Sequence, residues 1–217
     1  MKRVFGVIAA VAASLLVSTP TAVVASGTKV RASEPAPLYM RVYGQAAPPY
    51  GFVDFCSRSP EECASGPTED GRFVATPERL AELEEINRAV NTAIEPATDK
   101  ELYGVDEHWT LPANGRGDCE DYALLKRHIL IKRGWPISSL LMTVVFDEKG
   151  EGHAILTARV AQGDFVLDNK VATVKPWAST GYRYVMRQSY LNPRVWMSLD
   201  AKDARPPNVL SGVRGKR

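Results

Sequence analysis

The chain has 217 residues, 45% hydrophobic and 24% charged, with 27 basic side chains against 25 acidic ones. That supplies one respectable core, most simply a single domain. A formal charge of +2 with no basic stripe leaves no electrostatic footprint for nucleic acid.

The amino terminus reads as a secretory signal. Met1-Lys2-Arg3 is cationic, Val4 to Val17 is apolar apart from Gly6 and Ser14, and Val23-Val24-Ala25 places small residues before a cut at Ser26. The apolar run falls short of the roughly 20 residues of a membrane span, and an uncleaved anchor is the competing reading. The expected division is a signal over 1–25, one domain over 26–200, and a basic disordered tail over 201–217. Cleavage would remove Lys2 and Arg3, leave 25 basic and 25 acidic residues, and deliver a soluble protein to the periplasm.

Residues 26–75 are rich in Pro, Gly and Ser and read as an irregular arm with short strands. Within it Cys56 and Cys63 lie seven apart in a polar, proline-containing loop, and in an oxidising compartment they are the expected disulfide. That leaves Cys119 odd and unpaired. Thr76 is an N-cap before Pro77, and Leu80, Leu83, Ile86, Val90 and Ile94 recur at helical spacing, so a packing helix is expected up to Pro96. A loop through Trp109, Pro112, Asn114 and Gly117 leads into a second helix, Asp118 to Arg133, stopped by Gly134 and Pro136. Three apolar, β-branched stretches follow: Leu140 to Phe146, His153 to Val160 and Phe165 to Lys170. The whole reads as α+β, an antiparallel meander after a helix.

Cys119, His153 and Asp168 stand in the chain order of nucleophile, base and orienter. Cys119 lies in the first turn of its helix, where unpaired N–H groups and the macrodipole favour a thiolate. His153 starts the second strand, and Asp168 on the adjacent third would be within cross-strand reach. Amides near the helix start could face a developing oxyanion, with Trp109 or Asn114 as candidates for a second donor. Asp118, Glu120 and Asp121 oppose this, because carboxylates beside a thiol raise its pKa. Either they cap the helix, Asp118 as N-cap and Asp121 at the third helical position, or they hold a hard cation such as Ca²⁺. His108, His128, Trp109 and Trp177 read as packing or surface residues. Ser138, Ser139 and Ser189 lack a nucleophile elbow, and no His and Cys spacing suggests zinc.

At Gly117-Asp118-Cys119-Glu120-Asp121-Tyr122-Ala123, Gly152-His153-Ala154 and Val166-Leu167-Asp168-Asn169 the chain resembles the bacterial transglutaminase-like cysteine proteinases. Pro49-Tyr50-Gly51-Phe52 and the Phe55 to Cys63 stretch extend the resemblance over roughly residues 45–195. It implies a papain-like or transglutaminase-like fold, with the nucleophile helix packed on an antiparallel sheet. It also implies a Cys119, His153, Asp168 triad that hydrolyses peptide bonds through a thioester acyl-enzyme, with a protein substrate such as a cell-surface adhesin. Calcium bound through Asp118 and Glu120, with Asp121 nearby, is implied as well, while the chemistry itself requires no cofactor. An inhibitory membrane receptor is a further candidate partner on which the residues are silent. Three other readings stay open: transglutaminase-type acyl transfer, a peptidoglycan endopeptidase, and a non-catalytic calcium-dependent binding module. The orienter of wall endopeptidases is commonly a histidine, where this chain has Asp168.

Overall fold

The computed structural model describes residues 36–66 and 72–202, together with Lys2. The expected signal over 1–25 lies outside the described residues apart from Lys2, as does the expected tail beyond Lys202. No helix among the described residues is long and apolar enough to cross a membrane.

The expected irregular arm contains more structure than its composition suggests. A short strand, β1 (Gly44–Ala46), is followed by helix α1 (Tyr50–Arg58), which buries Phe52, Phe55 and Cys56. Those three positions repeat at helical spacing, a signal too short to stand out among the prolines around it. Cys56 is bonded to Cys63, tying α1 to the 3-10 turn Pro60–Cys63 across a Cα–Cα distance of 5.6 Å.

Helix α2 (Pro77–Ala93) starts as expected, with the Thr76 side chain accepting from Arg79 N–H at 3.3 Å. It stops at Ala93, short of Pro96, because Glu95 precedes a proline and is driven extended. Glu95–Pro96 becomes β2, paired in parallel with Arg116–Gly117 as β3. Between them lies α3 (Asp99–Tyr103), opened by a capping box of Thr98 and Glu101. Helix α4 (Cys119–Lys132) ends before Gly134, whose φ of 85° provides the left-handed residue that lets the chain turn away.

The sheet comprises β1 together with β4 (Leu140–Phe146), β5 (Gly152–Val160), β6 (Gly163–Leu167), β7 (Lys175–Pro176), β8 (Arg183–Gln188) and β9 (Trp196–Ser198). Its order is β1-β9-β8-β4-β5-β6-β7, antiparallel throughout. Strand β5 is central and buried on both faces. Ala154, Leu156, Ala158 and Val160 join a core with Leu83, Ile86 and Val90 of α2 and Tyr122, Ala123 and Leu130 of α4. Ile155 joins Met40, Val145, Val166 and Tyr184 in a second cluster. Each fully buried aliphatic side chain here contributes about 1.5–3 kcal/mol, and together they clamp α4 against the strand that carries His153. The mixed helix and antiparallel sheet is the expected α+β, papain-like architecture.

Candidate active site

Cys119 is the first residue of α4, and the chain reaches it through Gly117, where a Cβ would meet Asp121 Oδ2 at 2.5 Å. Only glycine allows the β3 segment to pass so close to the first helical turn. The Tyr122 hydroxyl donates to Ile94 O at 2.6 Å and anchors this end of α4 to the end of α2. Cys119 is half-buried, and Ala154 N–H on β5 donates to its Sγ at 3.4 Å.

His153 is the second residue of β5 and stands opposite Val145 of β4. Asp168 differs from the expected placement: β6 ends at Leu167, so Asp168 lies one residue beyond the ladder. The two still meet, His153 Nε2 to Asp168 Oδ1 at 2.9 Å, with both side chains almost fully buried. Lys170 N–H donates to the same Oδ1 at 2.9 Å, closing an Asx turn that ends the strand, and the Tyr182 hydroxyl donates to Oδ2 at 2.6 Å. Burial alone would raise the Asp168 pKa, but the His153, Tyr182 and Lys170 donors outweigh it and hold the carboxyl below its ordinary range.

Two asparagines that sequence reasoning passed over hold this turn from behind. Asn91 Nδ2 donates to Asp168 O at 2.8 Å, and Asn87 Nδ2 donates to Val171 O at 2.9 Å and Ala172 O at 3.0 Å. Their signal was legible: two amides four residues apart beside the apolar face of α2 need buried backbone partners. Tyr182 gave no such signal.

The carboxylates next to the thiol are arranged differently from expectation. Asp118 occupies the N-cap position, yet its side chain makes no capping bond; Oδ2 instead accepts from Asp99 N–H at 3.2 Å. Asp121 Oδ1 accepts from Thr110 N–H at 2.9 Å. The group that gathers is Asp99, Asp118 and Glu120, each offering a ligand atom within 4.8 Å of the others. Asp99 thus stands where the sequence suggested Asp121. The β2–β3 pairing brings it there, through Ala97 N–H to Gly117 O at 2.9 Å. Asp99 Oδ1, Asp118 Oδ1 and Asp121 Oδ2 are buried with no hydrogen-bond partner among the described residues. Oxygen donors orphaned in this way are the set a hard cation takes, so the residues fit Ca²⁺.

Without such a charge the site is electrostatically strained. Burial, reinforced by Asp118, raises the Glu120 pKa, and burial pushes Asp121 up to about 7. Burial together with the Glu120 and Asp118 carboxylates lifts the Cys119 thiol well above its usual range, against the pull of Ala154 N–H. The thiol donates to Glu120 Oε2 at 3.2 Å.

Cys119 and His153 share a cleft of about 310 Å³, walled by Pro48 and Pro49 ahead of α1, Trp109, Val144 and Met186. Neither candidate for a second oxyanion donor is placed for the task. The Trp109 indole N–H donates to Glu107 Oε2 at 2.9 Å, and Asn114 Oδ1 accepts from Arg116 N–H in a turn that does not line the cleft. His128 pairs with Glu62 at 2.6 Å, and the His108 ring lies 4.3 Å from that of Tyr103. Trp109 is core, 3% exposed, and Trp177 packs against the second cluster.

No curated protein matches the chain. Among solved structures, calcium-bound LapG of Legionella pneumophila is 24% identical with a TM-score of 0.49, over 64% of this chain and 76% of that one. A second structure of the same LapG is 23% identical with a TM-score of 0.46, over 54% and 67%. The family model for the bacterial transglutaminase-like cysteine proteinases matches residues 42–204. The span covers α4, β5, β6 and the disulfide, and the chain belongs to that family: it is a bacterial transglutaminase-like cysteine proteinase.

Proposed function

We propose that the chain is an exported cysteine endopeptidase in which Cys119, His153 and Asp168 act as nucleophile, base and orienter. The observation that carries this reading is the 2.9 Å bond from His153 Nε2 to Asp168 Oδ1, made at the edge of a cleft that His153 shares with Cys119. With Nε2 committed to the carboxylate, Nδ1 is the nitrogen left to serve the thiol.

His153 takes the thiol proton, and Cys119 Sγ attacks the scissile carbonyl carbon. The tetrahedral oxyanion is met by backbone N–H groups at the start of α4. The C–N bond then breaks, the amine leaves with the proton from His153, and a thioester remains. Water, deprotonated by His153, attacks the thioester, the C–S bond breaks, and the acid product departs from a regenerated thiol.

Asp99, Asp118 and Glu120 would hold Ca²⁺. Bound there, it supplies positive charge that offsets the carboxylates crowding the thiol and so favours the thiolate. Export to the periplasm behind a cleaved signal over 1–25, with one catalytic domain over 26–200, follows from the amino-terminal sequence. A surface adhesin as substrate follows from the family resemblance.

The test is incubation of the mature protein and its Cys119→Ala variant with a proteome-derived peptide library in H₂¹⁸O. New carboxyl termini carrying ¹⁸O, made only by the wild type and suppressed by EGTA, support the proposal. Amine adducts in place of hydrolysed ends would turn it toward acyl transfer, and no wild-type products would reject it.

A further inference from the structure

The chemistry above uses one oxygen of Asp168 and leaves unexplained why the other is held so firmly. His153 Nε2 and Lys170 N–H share Oδ1, each at 2.9 Å, while Oδ2 receives the Tyr182 hydroxyl at 2.6 Å. Asp168 is 3% exposed, so water does little for either oxygen. The Tyr182 ring also stands edge-on to the His153 imidazole, with centroids 5.9 Å apart and planes at 84°. One side chain therefore touches both the acid and the base.

We propose that Tyr182 is a positioning residue for the thiol reaction: its hydroxyl fixes the second carboxylate oxygen of Asp168 and its ring edge flanks His153, so the pair keeps one orientation through both proton transfers. This rests on the Cys119, His153, Asp168 reading. A carboxylate torsion is soft, and a donor on one oxygen leaves the plane free to swing. Donors on both oxygens fix it. A phenol bonded to a carboxylate at 2.6 Å has the length of a strong, charge-assisted bond. Burial, and then Asp168 itself, raise the Tyr182 pKa, so the hydroxyl remains a donor throughout the working pH range.

The backbone aims the ring. Gly181 has a φ of 79°, and Tyr182 N–H donates to Thr180 Oγ1 at 3.3 Å, turning the chain just before β8. Asp168 and Tyr182 also line a small pocket with Val166, Val171 and Thr180, whose walls share no residue with the Cys119 cleft. Tyr182→Phe removes only the oxygen and keeps that wall intact.

Other charges bear on the same pair: Asp147 and Glu148 from the turn after β4, Lys126 and Cys119 on α4, Lys170 after β6 and Lys175 on β7. All are unchanged by Tyr182→Phe, so a shift in the pH profile reports the lost hydroxyl. The experiment is kcat and KM against pH, on a peptide substrate with calcium present, for wild type, Tyr182→Phe, Asp168→Asn and the double variant. Tyr182→Phe is expected to lower kcat about ten-fold at unchanged KM. Its alkaline limb should move to higher pH, because a carboxylate relieved of the phenol pulls harder on the imidazolium. In the Asp168→Asn background, where the hydroxyl no longer donates to a charge, the same change should lower kcat by less than it does in the wild type and leave the alkaline limb unmoved.

Wild-type kinetics in Tyr182→Phe, or a melting change with both limbs in place, overturns the assignment. If Asp168→Asn and His153→Ala are themselves active as wild type, the triad reading is what has failed. Should Tyr182→Phe not fold, 3-fluorotyrosine at position 182 keeps the ring and donates more strongly. It should move the alkaline limb the other way, and an unmoved limb overturns the proposal.

Discussion

Replacing Asp168 by Asn should slow the reaction while leaving the His153 ring in place. Oδ1 carries two fixed donors, His153 Nε2 and Lys170 N–H, whereas Oδ2 carries a hydroxyl that can rotate. The asparagine should therefore seat its carbonyl oxygen toward His153 and Lys170 and its amide toward Tyr182, which turns to accept. Orientation survives and the charge is lost. A unit charge about 4 Å from the imidazolium is worth about 4 kcal/mol at an effective dielectric near 20. The retained neutral bond returns about 0.5–1.5 kcal/mol of that, leaving about 2.5–3.5 kcal/mol, or roughly a 70- to 400-fold fall in kcat/KM. Asp168→Ala loses orientation as well and should fall roughly ten-fold further. The assay is kcat/KM on a peptide substrate for both variants, with melting curves to check the fold. Wild-type activity in Asp168→Asn, or an Asn variant no better than Ala, would refute the argument.

Cys119→Ala should abolish turnover and iodoacetamide labelling while melting within about 2 °C of the wild type, since a half-buried thiol contributes little packing; residual turnover would place the nucleophile elsewhere. Asp99→Ala should cut the calcium-induced rise in Tm to below half while leaving Asp121 bonded to Thr110, and an unchanged calcium titration by calorimetry would remove Asp99 from the site. In EGTA the buried Asp99, Glu120 and Asp121 carboxyls bind protons more tightly than the unfolded chain does, with Asp121 near about 7. Their stabilising contribution is complete below the unfolded value of about 4 and is lost as pH rises through about 7 for Asp121 and about 9 for Glu120, so Tm should fall from about pH 5 to about pH 9 and saturating calcium should flatten the slope. A flat EGTA profile would contradict the burial of these groups. Removing the disulfide as Cys56→Ala/Cys63→Ala should cost about 2.5 kcal/mol for its short loop, a fall in Tm of about 5–10 °C, with catalysis retained at low temperature; no change in Tm would argue that the bond constrains nothing.

Much of the architecture could be read from periodicity. Leu83, Ile86 and Val90 recur at helical spacing, and α2 forms around them; the β-branched runs after Gly134 became β4, β5 and most of β6. Where the reading failed, a local rule gave way to a contact distant in sequence. The helix α1 was hidden because its buried face is only Phe52, Phe55 and Cys56, meaningful once Trp109 and Trp196 are there to receive it. The predicted third strand overran its end because Asp168 and Lys170 close a turn on themselves.

For the site itself, sequence determined which atoms could do chemistry. Cys119 at a helix start, a histidine opening one strand and an aspartate closing another are positions set by short-range patterns of turns, caps and alternation. Tertiary structure decided which groups serve them. Asp99 reached Asp118 and Glu120 because β2 and β3 pair across some twenty residues, and Tyr182 reached Asp168 because β8 returns beside β4 while a turn before it points back at the acid. Periodicity reports which face of an element is buried, whereas partners brought together by pairing of distant segments leave no periodic trace. Cys119 was therefore visible in one dimension as a candidate nucleophile, and the charges and hydrogen bonds around it only in three.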